Sequence, residues 1–371
     1  GLFMGIIWIT YLIKYAREKA LPEFAKLTGW LLVAAVLSIG PNLANMWGTQ
    51  VYTKESMRGG ISELTNKNQN QGEGGLSFDY AMAWSSGVYE SVALVIPNAA
   101  GGGMMVDYSD MGTETFDQLV RAFRQQGMNA SQAEAQANQY MGAAFMKWTG
   151  ESMGNGAYYV GAGVFFLFCL ALFTVGGTMR NWVLASGIVF LFMAWGSNFE
   201  SFNKLLFDAL PLYNKFRVPS MAMVVLFFLI PFYGIYGLNS WIGLDKAARM
   251  KAFTRGAATF AGFVVLFGLI APYAMNLEGA RDAGFTQQGF SLDQLISDRQ
   301  GIITSSAMRS LIFGLLTAAA LYVWHIGKLN QIAAIAVVGA ITLLDLYGFD
   351  RDQLELDDFQ SKRQWEQQYA P

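Results

Sequence analysis

Eight apolar runs, near residues 1–13, 27–46, 157–175, 181–196, 219–241, 256–274, 306–324 and 331–347, alternate with polar connections along the chain. A helix needs roughly 20 mostly apolar residues to cross a bilayer, so this pattern predicts an all-α integral membrane protein with about eight transmembrane helices. The clearest run follows Pro219: no charged residue interrupts it from Met221 to Leu238. Proline suits a first helical position, which predicts a helix starting just after Arg217. Pro231 in mid-span, followed by Gly234 and Gly237, predicts a kink and a close helix–helix approach. One further apolar stretch, GVYESVALVIPN at 87–98, is too short to cross and contains Glu90. It is expected to be a re-entrant or interfacial helix.

Residues 47–156 form the one insert large enough for structure outside the membrane. Its Gly/Asn/Gln-rich start at 66–75 predicts a loop, and helices follow. The spacings Thr115-x-x-Gln118 and Ser131-x-x-Glu134 predict capping boxes, with Phe116, Leu119, Val120 and Phe123 on one face of the first helix. The glycines of AAGGG at 99–103 allow either a close backbone approach to a ligand or a plain turn.

Charge sets the orientation. Lys and Arg gather in the short connections at 14–26, 176–180, 242–255 and 325–330, which read as cytoplasmic under the positive-inside rule. The chain then divides into two membrane helices at 1–46, an extracytoplasmic insert at 47–156, a six-helix bundle at 157–347 and an extracytoplasmic tail at 348–371. The first run is short, and we expect the chain to be a middle fragment, truncated before residue 1 and followed by a further domain.

Composition sharpens the class: 53% of residues are hydrophobic, 15% aromatic and 14% charged. That balance excludes an ordinary soluble fold. A net charge of −2 gives no basic field for nucleic acid. One cysteine, Cys169, and one histidine, His325, leave no internal disulfide and no zinc site of the His/Cys kind. Asp345, Asp350, Arg351 and Asp352 cluster where the last run ends, as an ion-paired helix end would. No carboxylate pair has a metal-site spacing.

Three features carry candidate chemistry. Segment 197–218 sets Lys204, Lys215 and Arg217 against Glu200 and Asp208. A guanidinium beside a helix that begins in the headgroup layer suits bidentate binding of a lipid phosphate; snorkelling, or an ion pair to Glu90, Glu200 or Asp208, is the competing account. Glu90, with Tyr80, Trp84 and Tyr89 nearby in sequence, fits a general base or a helix-start acid facing the local dipole. Arg58, followed by two glycines, offers a second anion contact or a solvated side chain.

ESMRGG at 55–60, WSSGVYESVALVIPN at 84–98, YYVGA at 158–162, WGSNF at 195–199, PLYNKFRVPSM at 211–221 and LDLYGFDRDQL at 344–354 together resemble the bacterial YfhO family of multi-pass membrane proteins. The resemblance implies a GT-C-like glycosyltransferase architecture in the bacterial cytoplasmic membrane. A sugar would pass on the outer face from a polyprenyl-phosphate carrier to a cell-envelope glycan or lipid acceptor. It places the main catalytic acid upstream of this chain, and carries over Arg58, Glu90, Asn98, Tyr213, Asn214, Lys215, Phe216, Arg217 and Pro219 as motif positions. Arg217, Lys215, Arg58, Asn98 and Tyr213 become the expected substrate-binding set and Glu90 the candidate catalytic residue. No cofactor is expected within these residues; the full-length protein leaves room for a divalent metal. The alternatives are a transporter or flippase for an anionic lipid or small anion, suggested by Pro231 and the short 87–98 segment, and a non-catalytic envelope assembly subunit.

Overall fold

The computed structural model describes residues 1–54, 76–101, 108–145, 148, 158–279, 281–287, 289–351, 361–363 and 365. Among them there is no strand. In chain order the helices are α1 Leu2–Arg17, α2 Leu21–Lys54, α3 Phe78–Ala81, α4 Glu114–Gln125, α5 Ala130–Phe145, α6 Ala162–Thr174, α7 Gly177–Ala194 and α8 Glu200–Ala209. They continue with α9 Met223–Ile242, α10 Lys246–Val264, α11 Ala271–Ala274, α12 Asp282–Gln287, α13 Leu292–His325 and α14 Gln331–Arg351. All eight apolar runs are therefore helical. Six of these stretches are long and apolar enough to cross a membrane: Leu21–Thr53, Gly177–Ala194, Pro219–Ile242, Lys246–Ala274, Leu292–His325 and Gln331–Arg351. The chain is an all-α, multi-pass membrane protein. Its other two apolar helices, α1 with 16 residues and α6 with 13, are shorter.

Several expected boundaries move. α2 continues past residue 46 to Lys54, and α14 runs through Gly348 to Arg351. α13 has 34 residues, so at 1.5 Å per residue it is about 50 Å long, well beyond the roughly 30 Å hydrocarbon core. Its first turns carry Asp293, Asp298, Arg299 and Gln300 and supply the polar excess.

The chain forms two compact units, Gly1–Ser86 with Val175–Leu229, and Gly87–Thr174 with Ile230–Pro371. In the first, α1 packs on α7, and Phe3 meets the edges of Trp182, Phe190 and Phe228 at ring distances of 5.9 to 6.4 Å. The start of α2 folds back on α1 through Phe24, which lies against Trp8 and Tyr15. From residue 29 to 52 every α2 side chain is exposed. A helix this apolar all round is at home only in hydrocarbon or against other apolar helices.

The second unit is built around α6, which packs on α10, α13 and α14. Without a hydrophobic drive between helices in lipid, close approach depends on small residues. A Cβ added to Gly237 would fall 2.2 Å from the Ala171 Cβ, and one on Gly256 2.9 Å from the Leu170 Cα. The approach expected after Pro231 is thus present, and the Thr174 hydroxyl donates to the Gly237 carbonyl across it at 3.2 Å. Between α10 and α11 the helix widens into a π turn, Val265–Ile270, just ahead of Pro272. The Gln300 side-chain amide meets the Pro272 carbonyl at 3.2 Å.

Segment 87–98, expected to be a re-entrant or interfacial helix, forms no regular α-helix. It holds one short 3₁₀ turn, Tyr89–Leu94, buried in the second unit. Its backbone is satisfied from two sides: Val160 N–H donates to Leu94 and the Ser310 hydroxyl to Val95, while Trp148 N–H donates to Ala100 just beyond it. Irregular backbone in a membrane protein survives only when enclosed in this way.

Both capping boxes fall elsewhere. α4 begins after Thr113, whose side chain makes no cap; instead the Asp298 carboxylate accepts the Glu114 and Thr115 N–H groups at 3.2 and 3.0 Å. α5 is closed by Asn129 and Gln132, whose side chains each accept the other's N–H. Glu134 pairs instead with Arg124 at 3.5 Å. Phe116 and Leu119 are buried as expected, with Val120 and Phe123 half-buried.

Candidate functional site

Three of the resembling stretches converge in the first unit. Ser85 anchors two of them: its hydroxyl donates to the Met82 carbonyl at 2.6 Å and accepts the Ser197 N–H at 2.8 Å. Ser86 N–H donates to the Ala194 carbonyl, and the Asn198 amide returns to the Ser86 carbonyl. The buried Asn203 amide nitrogen gathers the Phe192, Gly196 and Phe199 carbonyls at 2.8 to 3.2 Å, closing the turn between α7 and α8. Its amide oxygen lies 3.4 Å from the Tyr213 hydroxyl.

PLYNKFRVPSM runs along this platform. Leu76 N–H donates to the Asn214 carbonyl, Val218 N–H to Ala81 and Ser220 N–H to Trp84. Tyr213 packs with Phe78 and Phe207 over Leu76, Ala81 and Met82. Burial pushes its phenol up to about 12, so it remains a neutral hydrogen-bonding group at physiological pH. Val218 sits at φ +65° and Leu212 at φ +68°. For a β-branched residue that conformation costs on the order of 1–2 kcal/mol, and the bonds on either side hold it there. Pro219 opens a 3₁₀ turn, Pro219–Ala222, that leads into α9, so the span does begin just after Arg217.

The Arg217 side chain is exposed but oriented. Its Nη1 donates to the Tyr80 hydroxyl at 2.6 Å, and its guanidinium lies 5.6 Å from the Tyr80 ring centroid. Among the described residues it has no carboxylate partner, so the competing account of an ion pair to Glu90, Glu200 or Asp208 finds no support there. Arg217 borders a groove of about 350 Å³ whose other lining side chains, including Met82, Phe190, Met193, Phe216, Pro219 and Val225, are almost wholly apolar. Tyr213 also lines it. An apolar groove with one oriented cation matches an amphiphile with an anionic head.

The remaining expected residues lie elsewhere. Lys215 is half-buried at the end of the Tyr213–Lys215 turn and does not line the groove, and Lys204 is exposed on α8. Arg58 lies outside the described residues. Asn98, at φ +61°, belongs to the second unit, where its side-chain oxygen is buried without a hydrogen bond among the described residues. Glu90, also in that unit, is buried and accepts the Gly87 N–H at 2.9 Å. That is the geometry of a helix-start acid closing its own turn. Its neighbour Tyr89 donates to the Phe267 carbonyl at 2.5 Å, and burial pushes this phenol up to about 12.

Two other resembling stretches meet in the second unit. The fully buried Asp345 carboxylate accepts the Tyr159 hydroxyl at 2.7 and 2.8 Å and the Ala162 N–H at 2.8 Å, with Arg309 at 3.4 Å. Burial, then the adjacent carboxylate, raises the Tyr159 phenol far above its ordinary range. Asp345 is ion-paired, but its partner is Arg309 of α13, outside the expected cluster at 345–352, and Asp352 lies outside the described residues. Among the described residues no three His, Cys, Asp or Glu side chains are grouped to hold a metal ion.

Local sequence gave no sign of the tie between Tyr80 and Arg217, which are 137 positions apart. No family model matches the chain, and no curated protein or solved structure matches it.

Proposed function

We propose that this chain holds a polyprenyl-phosphate-linked sugar for a membrane glycosyltransferase, with the phosphate on Arg217 and the first part of the lipid chain in the adjoining groove. The observation that carries this reading is one oriented guanidinium, unpaired by any described carboxylate, at the edge of an apolar groove where an apolar span begins. Breaking the bond between the sugar and its phosphate leaves negative charge on the phosphate, and a fixed guanidinium stabilises that charge as it develops. The transfer step, a cell-envelope glycan or lipid acceptor and the outer face of a bacterial cytoplasmic membrane enter through the resemblance to the YfhO family. Glu90, one oxygen of which accepts the Gly87 N–H, stays the candidate acid–base group within the chain.

A flippase for the same lipid is the second reading, favoured by the π turn ahead of Pro272 and by the enclosed 87–98 segment, since interrupted helices recur at transporter sites.

The test is binding and turnover of a polyprenyl-phosphate sugar by the full-length protein in nanodiscs. Arg217→Ala is expected to weaken binding at least tenfold, because a charge-assisted contact contributes roughly 1.5–3 kcal/mol. Arg217→Lys recovers part of the loss. Unchanged binding by both variants, with unchanged melting temperature, would remove the groove as the donor site. Sugar release separates the transferase from the flippase, which moves the lipid intact.

A further inference from the structure

The second unit has a second oriented guanidinium, at the junction of α9, α10 and α13. Arg249 Nη2 donates to the Ile242 and Leu244 carbonyls at 2.8 and 2.9 Å, at the end of α9. Its guanidinium lies over the Trp324 ring at 4.3 Å and 5.8 Å from that of Trp241, whose indole N–H donates back to the Arg249 carbonyl at 2.8 Å. These contacts fix the plane of the side chain. Its other amino nitrogen, Nη1, makes no hydrogen bond among the described residues.

No described carboxylate forms an ion pair at this end of the molecule. Lys246, Lys251 and Arg255 on α10, and Lys328 after α13, are exposed, and none of these cations, nor Arg249, joins an ion pair among the described residues. Asp245 is the acid closest in sequence, and one of its oxygens already caps α10 by accepting the Ala247 and Ala248 N–H groups at 3.0 Å. The end of α9 supplies partial negative charge only. What remains is a cluster of positive charge beside tryptophans, at the level where three apolar spans end. The headgroup layer lies at that level, and tryptophan favours it.

We propose that this basic end is a binding site for the phosphodiester of an anionic phospholipid, with Arg249 as the oriented contact and Lys246, one turn before it on α10, as the second. A phosphodiester offers the paired oxygens that a guanidinium fork matches, and its acyl chains continue along the apolar faces of α9 and α13. A soluble phosphate shares the headgroup chemistry but gains nothing from those faces.

The full-length protein is purified into phosphatidylcholine nanodiscs, with and without a phosphatidylglycerol fraction, and its melting temperature is followed. Phosphatidylglycerol is expected to raise it in the wild type, and inorganic phosphate is not. Each basic residue near an anionic surface contributes enough that the double variant Lys246→Gln/Arg249→Gln should bind about thirtyfold more weakly. Arg249 also closes the end of α9 and its loss alone can disturb folding. Lys246→Gln, an exposed change, is therefore read separately and should weaken binding about fivefold with the melting temperature in pure phosphatidylcholine unchanged. Arg217→Gln should leave the phosphatidylglycerol effect intact, which keeps this site distinct from the groove. Equal stabilisation of wild type and Lys246→Gln, or equal stabilisation by both lipids, overturns the proposal, and stabilisation by inorganic phosphate alone replaces the lipid with a soluble anion.

Discussion

One buried carboxylate of the second unit gathers partners from two other helices and a connecting segment. Asp345 is fully buried on α14, and its two oxygens are met by a phenol, a backbone N–H and the Arg309 guanidinium. Arg309 is partly exposed and also donates to the Asp345 carbonyl, so the pair is less costly to break than a fully enclosed one. Asp345→Asn replaces an acceptor with a donor facing other donors and should lower stability by about 2–4 kcal/mol. Tyr159→Phe removes the bond donated to Asp345 and the one accepted from the Ala162 N–H, and leaves the carboxylate partly satisfied, at about 1–3 kcal/mol. Thermal unfolding in a fixed detergent reads both, and the double variant should lose less than the sum because the two groups share one bond. Melting like the wild type in both single variants would show that Asp345 is not a structural tie. The sequence marked Asp345 as a helix-end acid but gave no hint of Tyr159, because the bond joins positions 186 apart.

Helix existence was legible and helix ends were not. Each apolar run became a helix because in hydrocarbon the backbone must satisfy itself within the segment. Caps answer to whatever lies nearby in space, and a box motif four residues long competes with partners from any part of the chain. At α4 the competing partner is Asp298 on α13, and at α5 it is Asn129, two residues before the predicted serine. Asp298→Ala should therefore release the first turn of α4, costing about 1–2 kcal/mol there, and Asn129→Ala should do the same for α5. Ser131→Ala should be silent. Hydrogen exchange of the amides at Glu114, Thr115 and Gln132 distinguishes these outcomes, and protection lost on changing Ser131 but kept on changing Asp298 would return the caps to the predicted positions. The site follows the same logic: Arg217 and Pro219 were legible from the charge and the proline before an apolar run. Tyr80, the groove and the strained Val218 arise from tertiary packing that no local pattern encodes.

At the scale of the molecule, the second unit depends on helices brought nearer than ordinary side chains permit. Gly237 and Gly256 take α9 and α10 against α6, while glycines on lipid-facing turns, such as Gly262 and Gly40, have nothing within 4 Å of a notional Cβ. This contrast predicts a graded series. Gly262→Ala and Gly40→Ala should leave stability unchanged or raise it slightly through helix propensity. Gly237→Ala meets Ala171 Cβ at 2.2 Å and Cα at 2.5 Å, so α9 or α6 must move, at a cost of about 1–3 kcal/mol. Gly237→Val should cost more, because a branched side chain widens the gap further and strains the Thr174 hydroxyl bond to the Gly237 carbonyl. Unfolding in mixed micelles ranks the four variants. Equal stability of Gly237→Ala and Gly262→Ala would mean that α6 and α9 are held by lipid-facing bulk rather than by close approach. The partial compensating change is also specific: Ala171→Gly in the Gly237→Ala background removes the struck Cβ, leaves the approach of the Ala171 Cα, and should recover part of the lost stability.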